Sequence, residues 1–262
     1  MLDENDRLLL AEICDLIATA TGLPVLSSDL TGQMAKARWF ALGSAALAVE
    51  LARGVVSETA AEPPRALNAL RLARHLWECE HELHYLLDDP GRRVEEFVNR
   101  ETRLRSSLRD SDTAVGARTP RPMPAAPDLP SVPNRQKIAR LLGREREYHV
   151  HYRGSSWFSH PNMQPMLNSL ATTAKGITVG SPEMAQQLPG MALSLTRLTL
   201  ARLLLRAYRE VGHTAGYVAV DRFMKDRGIA ETGVLEEEDP EPEDGEPSAT
   251  AAGGDRRTRP QS

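Results

Sequence analysis

Apolar side chains recur at helical spacing along most of this chain, and the interruptions are glycine and proline. Leu8, Leu9, Ile13, Leu16 and Ile17 predict an amphipathic helix over 5–21, stopped by Gly22 and Pro24. An alanine-rich stretch from Thr31 to Ala61 predicts one long helix whose small residues let a neighbour approach closely, and Pro63 and Pro64 end it and start the next. Leu67, Leu70, Leu76, Trp77 and Leu83, interleaved with charge, predict a half-buried third helix. Asp89 before Pro90 has the form of an N-cap followed by a first-turn proline, opening a charged helix over 91–109. Six prolines between 120 and 133 make 112–133 a flexible internal linker, with a PxxP-like spacing.

Helical pattern returns at Asn134 and runs to about His160, where Pro161 disfavours continuation. Residues 162–180 are mixed, with no convincing strand run. Ser181 and Pro182 start another helix, Pro189 with Gly190 breaks it, and a strongly apolar helix follows from Met191 to Gly212. A last helix over 213–227 closes the body. The expected fold is therefore all-α, an irregular bundle of about seven helices in one domain over 1–228. Residues 229–262 carry ten acids against three arginines, and this proline-rich segment is expected to be a disordered acidic tail.

That asymmetry changes the meaning of the net charge of −4, because it leaves 29 basic against 26 acidic side chains in the body. A mild positive excess permits RNA as a partner without requiring it. A basic partner for the tail, or masking of a basic groove by it, is equally open, a solubilising tail being the default. Two cysteines, Cys14 and Cys79, exclude a disulfide scaffold, and the acidic N-terminus does not have the form of a signal peptide. The expected location is the cytoplasm. The most apolar window, Trp39 to Val56, is interrupted by Glu50 and Arg53, so no membrane association is expected.

Candidate chemistry concentrates in residues 143–163, where histidines, hydroxyls and aromatics crowd together. At 100° per residue, His149, Arg153, Ser156 and His160 share one stripe of a helix, with Trp157 beside them. Arg153 and His160 would stand ~10 Å apart along the axis and could meet over a shared phosphate. Arg153 would stabilise a phosphorane and His160 would move a proton, chemistry suited to RNA cleavage without metal or cofactor. The competing structural reading pairs Arg153 with a buried acid such as Glu78 and leaves the histidine capping its helix.

A second concentration lies at 77–85, where Glu78 and His81 form a Glu-x-x-His pair with His84 one turn on. Helical bundles use that spacing to hold paired metals, but a matching pair and further carboxylates are required, and only Glu50 is an obvious donor. Arg140, Arg144, Arg146, Arg197, Arg202, Arg206 and Arg209 would line a nucleic-acid surface if their helices pack side by side. Ser155, Ser156 and Ser159 lack the strand-turn-helix elbow of a serine hydrolase.

Two motifs together resemble a bacterial all-helical family of unknown function. Its Arg-x-x-x-Glu helix corresponds to Arg74 and Glu78, and its Tyr-Arg-x-x-Ser-x-x-x-His-Pro element to Tyr152, Arg153, Ser156, His160 and Pro161. The resemblance covers roughly residues 65–210. More weakly, the chain is similar to HEPN-type helical domains, in which an arginine and a histidine four to six residues apart form a metal-independent ribonuclease site, often across a dimer. Arg153 and His160 take the longest of those spacings, with Gly154 where a polar residue commonly follows the arginine. That resemblance implies a homodimeric ribonuclease of a defence or toxin system. The expectations that stand beside it are a non-enzymatic helical interaction domain and a metal-binding bundle.

Overall fold

The computed structural model describes residues 2–20, 32–62, 64–116, 130–153, 170–173, 176–179 and 182–231. Eight α-helices occur among them: α1 Glu4–Thr19, α2 Gln33–Ala60, α3 Ala66–Asp88, α4 Pro90–Gly116, α5 Arg135–Leu141, the single turn α6 Glu145–Glu147, α7 Pro182–Val211 and α8 Thr214–Asp226. The all-α class is as the periodicity predicts. Two four-residue strands, β1 Leu170–Thr173 and β2 Gly176–Val179, add one antiparallel hairpin that the apolar pattern does not announce.

Small side chains decide how α2 meets its neighbours. Ala37, Ala41, Ala45, Ala48 and Ala52 recur at intervals of three or four and are completely buried, so α3 and α7 pack close against this one face. α7 is the central element, touching α1, α2, α3 and α8. Its Leu193, Leu200, Leu203 and Leu204 meet Leu70, Leu76, Trp77 and Leu83 of α3 in one continuous core. By length and composition α2 and α7 could each cross a bilayer, despite Glu50 and Arg53 in α2; the apolar window of α7 is 72% buried inside the bundle and that of α2 33%.

Several boundaries differ from expectation. The helix expected over 134–160 is divided. α5 ends in a Schellman motif, with Gly143 at φ +70, its N–H bonded to Arg140 O (3.1 Å) and the Arg144 N–H to Ala139 O (2.7 Å). α6 then starts a new direction and widens into a π-helical stretch, Tyr148–Arg153. Conversely, α7 runs unbroken through Pro189, where a break was expected. Leu188, Pro189 and Ala192 are buried, and Gly190 lies close to the Asp6 side chain of α1. α4 continues to Gly116, so the first five residues of the expected linker are helical.

The caps follow the sequence signals. Asp3 accepts from Asp6 N (2.8 Å), Asn134 from Lys137 N (2.9 Å) and Asp89 from Arg92 N (3.4 Å). α8 ends in a second Schellman motif, with Gly228 at φ +61 and the Ile229 N–H bonded to Met224 O (2.9 Å). This turn folds the chain back onto the body. Ile229 packs on the core and Ala230 and Glu231 are held by arginines, so three residues counted with the tail belong to the body.

Candidate functional site

α3 carries a carboxylate where a leucine would fit. Leu76, Glu80, Leu83 and Leu87 follow one another at intervals of four, three and four, which places Glu80 on the buried stripe. Its side chain is 1% exposed. Such a charge persists only if it is paired, and Glu80 is enclosed by partners. Arg144 Nη1, presented by the turn after Gly143, donates to Oε1 at 2.5 Å. His81 Nδ1 lies 2.6 Å from Oε2, and His84 Nε2 is 3.3 Å from Oε1. Burial alone would raise the carboxyl, but His81, Arg144 and His84 outweigh it and hold it well below the usual carboxylate range.

The two histidines are differently placed. His81 is fully buried, stacked on Trp77 with ring centroids 3.6 Å apart. Its Nδ1 faces both Glu80 and the Trp77 carbonyl (3.1 Å), two acceptors, and so carries a hydrogen. Its Nε2 looks toward Glu147 Oε2 at 3.9 Å, and neither atom has a hydrogen-bond partner among the described residues. Burial pushes His84 down to about 3, with Arg144 and Arg206 adding repulsion against the pull of Glu80. His84 is therefore neutral at physiological pH.

Glu147 links this interior to an open cavity. Arg202 Nη1 of α7 donates to its Oε1 at 3.0 Å, and Arg202 Nε reaches Ala230 O at 2.9 Å. Arg144 Nη2 donates to Glu231 O at 3.1 Å. The cavity beside them measures about 1180 Å³ and lies between the 143–151 segment, α7 and the turn at Gly228. Five arginines line it: Arg144, Arg146, Arg197, Arg202 and Arg227. Arg197 and Arg227 share Glu12 of α1, at 2.8 and 2.5 Å, and those bonds hold its carboxyl below the usual range against the effect of burial. Arg146 is exposed and has no partner among the described residues. His151 also lines the cavity and is lowered by burial, with Glu147 opposing.

Three carboxylates, Glu12, Glu80 and Glu147, thus pair with this group of five guanidiniums, and two positive charges remain. Apart from Ser194, the other side chains of the wall are apolar: Leu195 and Leu198 lie in it, and Val150 and Met191, 59% and 44% exposed, stand at it open to solvent. A smaller cleft of about 400 Å³ between α1 and α2 has only Glu50 and Arg53 as charged groups, and they pair with each other at 2.6 Å.

Of the residues of the expected site, the described ones fall in two places. Arg153 is exposed on the π-helical stretch, its Nη1 3.4 Å from His149 Nδ1. It does not meet Glu78, as the structural reading proposed. Glu78 instead lies beside Arg74 (3.4 Å), His75 (3.5 Å) and Arg135 (3.5 Å). Arg74 Nη2 donates to Tyr152 Oη (2.7 Å), and the Tyr152 ring stacks on Tyr148 at 5.0 Å. Arg74, Glu78 and Tyr152 therefore form one supporting cluster behind the stretch that carries Arg153. Ser156, Trp157, His160 and Pro161 lie outside the described residues. Within Tyr148–Arg153 the wider π-helical turn replaces the 100° spacing assumed for the stripe, and His149 and Arg153 remain neighbours on it.

The metal reading meets a different arrangement too. Glu80, rather than Glu78, shares its position with His81 and His84, and Arg144 occupies the same carboxylate. Among the described residues no three His, Cys, Asp or Glu side chains are grouped so as to hold a metal ion. Burial pushes the Cys79 thiol up to about 11, which leaves it protonated and unreactive. Set beside protein-family models, curated proteins and solved structures, the chain matches none of them.

Proposed function

We propose that this chain is a non-enzymatic helical binding domain whose cavity takes an amphipathic anion, such as a phosphate monoester bearing an apolar group. The observation that carries this reading is the composition of the cavity wall. Five guanidiniums against three carboxylates leave charge for a dianion, and Val150, Met191, Leu195 and Leu198 offer an apolar surface alongside. Guanidinium groups suit phosphate because their planar donors match its oxygens. The buried network of Glu80, His81 and Glu147 fixes Arg144 and Arg202 in place, so the ligand meets donors that need little reordering.

Calorimetric titration with octyl phosphate, octanol and inorganic phosphate tests this. Octyl phosphate should bind at least tenfold more tightly than either part, and Arg146→Ala should weaken it. Equal affinity for octanol and octyl phosphate would remove the anion from the proposal.

A ribonuclease reading built on Arg153 and His160 keeps one supporting observation, the exposed Arg153 guanidinium beside His149 at 3.4 Å. It predicts RNA cleavage in the presence of a chelator, abolished by Arg153→Ala or His160→Ala and lost on dilution if a homodimer is needed. Cleavage unchanged in both variants would end that reading.

A further inference from the structure

The arginine-lined cavity opens where the described chain leaves the body. Gly228, Ile229 and Ala230 form part of its wall, and the last described residue, Glu231, accepts from Arg144 through its backbone and from Arg209 through its carboxylate (2.7 and 3.1 Å). The residues that follow are Thr232, Gly233, Val234, Leu235, Glu236, Glu237, Glu238 and Asp239. An apolar pair and then a run of carboxylates complement the two kinds of surface in the cavity wall, apolar side chains and guanidiniums.

We infer that the segment 234–239 of this chain occupies the arginine-lined cavity as a resident competitor, so that the anionic ligand must displace it. The inference rests on the cavity being the anion site. The chain starts at the rim, where Arg144 holds the Glu231 carbonyl, and five residues from Glu231 to Glu236 extend up to about 17 Å. Charge is complementary: the five guanidiniums carry two positive charges more than the three carboxylates paired with them, and the segment carries four consecutive acids. Tethering supplies the rest. A segment held this near acts at an effective concentration on the order of millimolar, so weak contacts suffice for occupancy. Val234 and Leu235 would lie against Val150 and Met191, whose exposure is otherwise unexplained.

The test uses the full chain and a variant with Glu236→Gln, Glu237→Gln, Glu238→Gln and Asp239→Asn. Octyl phosphate should bind the neutralised variant about tenfold more tightly than the wild type, with the gap closing as salt is raised. A synthetic peptide of residues 232–246 should bind the neutralised variant, bind the wild type weakly, and be displaced by octyl phosphate. Arg146→Ala in the neutralised background should weaken both probes, which places them in the cavity.

Octyl phosphate binding equally to both chains, with no peptide binding, overturns the tail's occupancy and leaves the anion site standing. Peptide binding that depends on Arg146, with no binding of octyl phosphate to either chain, supports the tail's occupancy and removes the small-molecule reading. Failure of both probes on the neutralised variant overturns both. Peptide binding unaffected by Arg146→Ala would show that the tail docks elsewhere and overturns this inference.

Discussion

Glu80 and Arg153 both sit in histidine-rich helical segments, yet one is sealed among His81, His84 and Arg144 while the other stands in solvent beside His149. The difference lies in what each helix does for the bundle. α3 is packed against α2 and α7, so a charge on its inner stripe must be matched by another delivered to the same place. The Tyr148–Arg153 stretch touches the bundle through Tyr148 and Tyr152, which stack near Trp77, and leaves Arg153 outside. Polar crowding in a sequence therefore means different things on the two elements. In α3 it marks an enforced network; in the stretch after α6 it marks an outward edge.

Removing one partner from each region should give opposite results. Glu80→Ala strands Arg144 without its buried counter-ion and should cost about 3–5 kcal/mol in denaturant unfolding. Arg153→Ala, in the same assay, should change stability by no more than ~0.5 kcal/mol. Replacing Glu80 and Arg144 together by leucine and methionine should cost less than either loss alone, because no charge is then left unpaired.

Acid should expose the same network. His84 has a folded value of about 3 against an ordinary 6.5, so between those limits the unfolded chain gains a proton that the native chain refuses. Stability should hold above pH 6.5 and fall as the pH drops through this window, by at most about 1.4 kcal/mol per unit for one proton. Glu80 works in the same direction lower down: its depressed carboxyl stabilises the fold above its ordinary range near 4.5 and loses that contribution as acid titrates it in the native state. Thermal melts from pH 7 to 4 should show a shallower decline in His84→Leu than in the wild type. Equal slopes would mean that His84 is not the group responsible.

The helices over α1, α2, α3 and α8 follow from apolar period and from punctuation such as Asp89 with Pro90. The break at Gly143 does not, because a single glycine inside a helical pattern is tolerated as often as it caps, and the apolar residues on both sides keep the period. Pro189 fails in the opposite sense: local chemistry opposed a helix that tertiary packing sustains. Four of the five cavity arginines, Arg144, Arg146, Arg197 and Arg202, stood out as residues that would share a surface if their helices met. Glu80 did not stand out, although a carboxylate in the stripe Leu76, Leu83, Leu87 was its signal; the Glu-x-x-His spacing drew attention to Glu78 instead. Which acid meets which arginine depends on helix packing, and that is not written in spacing.

Gly143→Ala gives a smaller, local test of the turn that delivers Arg144. No atom lies within 4 Å of the added methyl, so its effect is the cost of φ +70 for a residue with a Cβ. That should be about 1–2 kcal/mol, with a weakening of ligand binding if Arg144 shifts. A neutral or stabilising result would mean that the turn relaxes without disturbing the network.

On this reading the binding chemistry belongs to the arginine-lined cavity and not to the exposed Arg153 guanidinium beside His149. Calorimetric titration of octyl phosphate into the tail-neutralised chain, with Arg146→Ala and Arg153→Ala compared in that background, tests it most directly. Arg146→Ala should lose at least about fivefold in affinity and Arg153→Ala should be unchanged. Loss in Arg153→Ala with Arg146→Ala unaffected would contradict it.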